Sequence, residues 1–204
     1  MTAAERLRRD LALVAGIVPP GARVLDLGCG DGALLEAVRE TRGAVVRGVE
    51  LDLAGVGACV ARGVSVVQAD IDAGLAGFPD GAFDLVVLSQ TLQVVRNPAL
   101  VLREMLRVGE RGIISFPNFG NWRVRGYLGL RGRMPVSSSL PYEWYETPNI
   151  HLTTVKDFRV FCARNGVRIE REIPLAEDAG LPGALVRIAP NLLAETSIAV
   201  VARA

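Results

Sequence analysis

The sequence predicts an α/β domain built on a mostly parallel, doubly wound sheet with helices on both faces. Three observations carry that expectation. Short, continuously apolar runs alternate with helical patterns from Arg23 to Phe116. Such runs suit strands buried on both faces, and their alternation with helices requires parallel pairing. A glycine-rich turn, "VLDLGCGDG", joins the first strand to the next helix, the place where open α/β sheets bring a ligand to the strand ends. The chain then closes with "VRIEREIPL" and "TSIAVVARA", two strand patterns with no evident helix between them, which predicts an antiparallel addition to the sheet.

The elements follow in order. Leu7, Leu11, Val14 and Val18 fall on one helical face, so residues 3–16 read as an amphipathic helix. Basic residues before the apolar run "LALVAGIV" give this end the look of a signal peptide. Asp10, the shortness of the run and the Pro19-Pro20 stop argue against one. "ARVLDL", "AVVRGVEL", "VSVVQAD", "FDLVVLS" and "RGIISF" are the first five strands. Between them lie "DGALLEAVRE", opened by Asp31, "LAGVGACVARG", closed by Gly63, and "NPALVLREMLRVG", with Asn97 as cap and Pro98 in its first position. Residues 117–152 lose all periodicity. A helix then resumes at "TTVKDFRVFCARNG", with Val155, Phe158, Phe161 and Cys162 on its apolar face and Gly166 as its stop. The whole, residues 1–204, is read as one domain with an inserted segment at 117–152.

Composition narrows the function. Lys+Arg number 23 against 22 Asp+Glu, for a net charge of +1, so no electrostatic footprint for nucleic acid is present. Cys29, Cys59 and Cys162 are scattered and form no CxxC. Neither a disulfide framework nor a metal site is expected, and a reducing cytoplasm is the simplest setting. No segment is long and apolar enough to span a membrane.

The glycine loop holds the first functional signal. Gly28, Gly30 and Ala33 satisfy the dinucleotide pattern G-x-G-x-x-G/A, so the glycines alone leave a nicotinamide cofactor open. The acids argue otherwise. Asp26 precedes the loop and Asp31 lies within it, flanking the place where a pyrophosphate would sit. Two carboxylates there suit a ligand with an amino group and a sulfonium, as in S-adenosylmethionine (SAM). Glu50 closes the second strand, where a carboxylate can accept from ribose hydroxyls, and Asp70 closes the third, within reach of an adenine amino group. Asp52 and Asp72, taken singly, read as cap or turn residues.

These motifs carry a resemblance. "VLDLGCGDG", "GVELD", "VVQADID" and "FDLVVLSQTLQVV" resemble the successive motifs of class I SAM-dependent methyltransferases over residues 23 to about 116. Within that superfamily "QADID", "LSQTLQVVRNP", "SFPNFGNWRVR" and "LPYEWYETPNIHLTT" are similar to the MetW family of methionine biosynthesis proteins. The resemblance implies a Rossmann-like fold, a mostly parallel seven-stranded sheet with an antiparallel C-terminal strand. It also implies SAM or S-adenosylhomocysteine as cofactor, held by Asp26, Gly28, Cys29, Gly30, Asp31, Glu50, Leu51, Asp70, Ile71, Ser89 and Gln90. MetW proteins act with a homoserine O-acyltransferase of the MetX type, and the resemblance implies that partner here. The rival is a methyltransferase acting on an unidentified small molecule.

No general base is evident. The fourth strand ends in Ser89, Gln90, Thr91 and Gln93, polar but not basic. His151 is the only histidine and a weak candidate for catalysis, more simply a structural hydrogen-bonding residue. Methyl transfer from a sulfonium needs chiefly alignment, so the missing base excludes nothing.

The segment 117–152 holds both tryptophans, all three tyrosines and that histidine. Long aperiodic segments in compact domains are usually functional or disordered, and Trp with Tyr and Arg is the composition of binding hot spots. Gln93, Asn118, Trp122, Arg123, Arg125, Tyr142, Trp144, Tyr145 and His151 are therefore expected to meet a substrate or a partner. Three readings stay open: a lid packed on its own sheet, a lid over SAM and a small anionic acceptor, or a docking surface for a protein.

Overall fold

A computed structural model describes residues 7–137, 140–176 and 182–204. Its elements in chain order are α1 (Arg9–Ile17), β1 (Arg23–Leu27), α2 (Ala33–Arg42), β2 (Val45–Glu50), α3 (Leu53–Ala61), β3 (Ser65–Gln68), β4 (Phe83–Ser89), α4 (Pro98–Val108), β5 (Gly109–Pro117), α5 (Trp122–Arg131), α6 (Val155–Arg164), β6 (Val167–Leu175), α7 (Gly183–Ile188), α8 (Pro190–Leu193) and β7 (Thr196–Arg203). The seven strands form one sheet in the order β3-β2-β1-β4-β5-β7-β6. β1 to β5 pair in parallel, and β7 runs antiparallel to both its neighbours, β5 and β6. β7 is thus the one reversed strand of the seven. The strand order turns back at β1 and β4, which opens a crevice at their carboxyl ends.

Side chains alternate across the central strands and feed two separate cores. Leu25, Leu27, Val86, Leu88, Ile114 and Phe116 face α4 and α6, where Phe116 packs on Phe158 with ring centroids 4.6 Å apart. Val24, Leu85, Val87, Ile113, Ile198 and Val200 face α1 and α2 on the other side. This double burial is the physical reason the strands read as continuously apolar. The helix signals act as their chemistry requires: Asn97 Oδ1 accepts from Leu100 N at 3.1 Å at the start of α4, and Thr154 Oγ1 accepts from Asp157 N at 3.2 Å at the start of α6.

Three stretches differ from the sequence reading. Of the helix expected over residues 3–16, α1 begins at Arg9, so Leu7 and Arg8 precede it, and residues 1–6 lie outside the described residues. The aperiodic segment contains α5, in which only Val124 is buried and Gly126 and Gly129 interrupt the pattern, so no apolar face marks it. Its end signals were present, because Asn121 Oδ1 accepts from Arg123 N at 2.9 Å and Gly132 ends the helix at φ 62°. The stretch between β6 and β7 holds α7 and α8, each too short for a periodic signal; residues 177–181 are outside the described residues.

Candidate functional site

A cleft of about 700 Å³ opens at the carboxyl ends of β1, β2 and β3. Gly28, Glu50, Leu51, Asp70 and Ile71 line it, five of the residues expected from sequence. The opposite side comes from the loop after β4, with Thr91, Val94 and Val95. Glu50, Asp52, Asp70 and Asp72 are the charged residues of the lining, and all are acids. A cleft edged this way favours a cationic ligand and repels a pyrophosphate.

Gly28 makes the turn out of β1 with φ 74°, a conformation glycine adopts without strain. The Glu50 carboxylate then ties the loop to β2: Gly30 N donates to Oε2 at 2.7 Å, and Leu51 N and Asp52 N donate to Oε1 at 2.8 and 2.9 Å. About one acceptor position is left on Oε2. Asp70 Oδ1 accepts from Asp72 N at 2.9 Å and starts a short 3-10 turn, Ile71–Ala73. Asp72 in turn accepts from the backbone of Arg96 and Asn97, at 2.9 Å each, so it holds the loop after β4. That is the turn role its isolated position implied.

Asp26 is the anomaly. It is 3% exposed, and its Oδ1 has no hydrogen-bond partner among the described residues. Burial, reinforced by the Glu50 charge, pushes its carboxyl up to about 7. An orphaned acid two residues before the glycine turn calls for a positive ligand group nearby.

The other expected residues are placed differently. Cys29 packs its thiol 3.6 Å from Cys59 Sγ in a core, and burial followed by the Asp26 charge pushes that thiol well above its usual range. Asp31 is not in the cleft lining; its carboxylate accepts from Ala33 N and pairs with Arg62 at 2.8 Å. Ser89 Oγ meets Ser115 Oγ at 2.9 Å. Gln90 is the one non-glycine residue with positive φ, 54°, among those described. Gln93 Nε2 donates to the Gln90 carbonyl at 2.9 Å, and the Gln93 carbonyl accepts from Ile150 N and His151 N at 2.9 and 3.0 Å. The loop after β4 is therefore bonded directly to the aromatic segment.

That segment does not act as one site. His151 lines a small apolar pocket with Leu92, Phe158 and Phe161, apart from the acidic cleft, and its Nε2 lacks a partner among the described residues. Asn118 is a buried strut: its Nδ2 donates to Ala194 O at 2.7 Å while Oδ1 accepts from Gly120 N and Val155 N. Arg123 pairs with Glu195 at 3.4 Å and lies over Trp122, 5.6 Å from the ring centroid. Arg125 and Tyr142 are exposed. Trp144 and Tyr145 meet edge to face at 5.5 Å, yet are 70% and 66% exposed. A lid packed on its own sheet does not describe these two rings.

The family model "Methionine biosynthesis protein MetW" matches residues 8–201. The chain belongs to the MetW family. Its relatives include a bifunctional methionine biosynthesis protein MetXA/MetW from Rhodopirellula baltica, 37% identical over 94% of this chain and 32% of the relative. A ubiquinone biosynthesis O-methyltransferase from Burkholderia thailandensis is 33% identical over 60% of this chain and 55% of its own length. The MetW-family chain thus spans about a third of the first relative and about half of the second. Among solved structures, a SAM-dependent methyltransferase from Mesorhizobium loti superposes with TM-score 0.69, 20% identity and coverage of 98% of this chain and 100% of the other. Magnesium protoporphyrin IX methyltransferase from Synechocystis, with S-adenosylhomocysteine bound, gives TM-score 0.63 and 19% identity over 96% and 80%. The fold of this MetW-family chain is that of the SAM-dependent methyltransferases. Among the described residues no helix is long and apolar enough to cross a membrane, and no His, Cys, Asp and Glu cluster is arranged for a metal.

Proposed function

We propose that this chain is a SAM-binding protein of methionine biosynthesis that acts in the cytoplasm with a homoserine O-acyltransferase of the MetX type and adjusts that enzyme to SAM supply. The observation that carries the SAM half is Asp26, a buried carboxyl whose Oδ1 has no hydrogen-bond partner among the described residues, beside a cleft whose charged lining residues are all acids. SAM supplies positive charge and an activated methyl group when bound. Asp26 would answer the positive charge, the Gly28 and Gly30 backbone would allow close approach, Glu50 would take a ribose hydroxyl on Oε2, and Asp70 would face the adenine. S-adenosylhomocysteine would fit the same groups with one charge fewer.

The partner half is supported by the bifunctional relative, whose name joins MetXA and MetW in one chain. Exposed aromatic side chains in 122–145 offer the surface: Trp122, Tyr142, Trp144 and Tyr145, with Arg125 beside them. Just beyond that surface, Ile150 N and His151 N donate to the carbonyl of Gln93, in the loop whose Thr91, Val94 and Val95 line the cleft. If SAM alters the affinity for the acyltransferase, the acyltransferase must alter the affinity for SAM by the same factor. SAM titrations with and without the acyltransferase test this: a severalfold difference is expected, and equal affinities would remove the regulatory role.

The likeness to ubiquinone O-methyltransferases over 60% of the chain favours a second reading, methyl transfer to a small molecule. It predicts accumulation of S-adenosylhomocysteine with an acceptor, and its loss in Asp26→Ala and Glu50→Ala.

A further inference from the structure

A second pocket, of about 500 Å³, adjoins the cleft and shares Val94 with it. Its size is in the range of small-molecule sites. Its lining is mostly polar in character and carries Arg8, Arg9, Asp10 and Glu195; Arg8 pairs with Asp10 and Glu195 with Arg123, whereas Arg9 has no ion pair with another described residue. An anion alone would meet Arg9 and leave the open acceptors of the lining without donors, whereas a zwitterion brings both.

Two buried acceptors in this lining are incompletely used. Asp10 is 7% exposed and, among the described residues, accepts only from Arg8, Nε to Oδ1 at 3.2 Å and Nη2 to Oδ2 at 3.1 Å. A carboxylate has about four acceptor positions, so roughly two are unfilled. Gln93 is 4% exposed; its Nε2 is engaged with Gln90, while Oε1 has no partner among the described residues. Rotating the amide would set its oxygen against the Gln90 carbonyl, so the orphaned atom is the acceptor. Native buried polar groups are rarely left so, and a ligand bringing several N–H donors would complete both. An ammonium group brings three. Arg9, exposed at the start of α1, supplies the matching guanidinium.

We infer that this second pocket binds a small free α-amino acid, with its ammonium at Asp10 and Gln93 and its carboxylate at Arg9. The inference uses only the pocket's own groups and does not depend on the acyltransferase reading. It places a small-molecule site under part of the aromatic segment, through Tyr142 and Asn149, while Trp144 stays on the outer surface.

Thermal-shift and calorimetric titration of the full chain with the proteinogenic L-amino acids and L-homoserine tests it. At least one member with a short polar side chain should bind, and its N-acetyl and carboxamide derivatives should not. Asp10→Asn and Arg9→Ala should each weaken binding by about tenfold or more, with SAM titration of the same samples unchanged. Arg9 is a surface residue, so its variant folds even if the Asp10 variant does not. Three results would overturn the inference: no amino acid binds, the N-acetyl derivative binds as well as its parent, or binding falls in Asp26→Ala but not in Arg9→Ala. SAM binding is read separately, so failure at the second pocket is distinguishable from failure at the cleft.

Discussion

A Cβ atom on Gly28 would lie 2.8 Å from Thr91 Cγ2 and 2.9 Å from Thr91 Oγ1. The first turn of the glycine loop is thus pressed against the loop after β4, and these two residues meet where the cleft's opposite sides join. Gly28→Ala adds that clash to a positive φ. The expected outcome is a loss of roughly 2–3 kcal/mol in stability, measured by denaturant unfolding, together with loss of SAM binding.

Asp26 predicts a pH dependence. Its folded-state carboxyl is raised to about 7 from an ordinary value of 3.8. The protonated form therefore contributes stability that is present in full below about pH 4 and is lost as pH rises through 7, on the order of 4 kcal/mol in all. Asp26→Asn cannot ionise. In chemical denaturation the variant should gain on the parent between pH 5 and pH 8, and a gap that does not widen would contradict the burial argument.

The same group should govern the ligand. A cationic ligand prefers the ionised carboxylate, so SAM affinity should rise with pH up to about 7 and level off above it. Asp26→Asn should bind more weakly at pH 8 and show a flatter profile, as isothermal titration across the range would read.

Asn118 joins β5, the start of α6 and the chain ahead of β7 through its side-chain hydrogen bonds. Asn118→Ala should destabilise the fold by roughly 2–4 kcal/mol, since several buried partners lose their bonds at once. A variant of parental stability would return Asn118 to the list of ligand-contacting residues.

Trp144 and Tyr145 are the converse case. Exposed as they are, alanine in either place should leave stability within about 0.5 kcal/mol. The same substitutions should weaken a complex with the acyltransferase by about tenfold or more while SAM affinity is kept.

The sheet was legible because its central strands β1, β4, β5 and β7 are buried on both faces and its helices on one, which writes two distinct periods into the chain. α5 was hidden because apolar residues surround it and Gly126 and Gly129 break its pattern, although Asn121 and Gly132 marked its ends. In the cleft, Glu50 and Asp70 were readable as acids at strand ends. Val94 and Val95 were not, because they are apolar residues in an aperiodic loop that Asp72 holds in place through the backbone of Arg96 and Asn97. Asp31 is adjacent in sequence to the glycines, and that adjacency concealed that its side chain turns toward Arg62.

The central claim is that SAM bound at the acidic cleft acts through this chain on an acyltransferase. Homoserine acylation by that enzyme, measured with and without the chain and with and without SAM, tests it most directly. The expected result is activity that depends on the chain and shifts severalfold with SAM, with the shift abolished in Asp26→Ala. Acylation indifferent to the chain under all four conditions would contradict it.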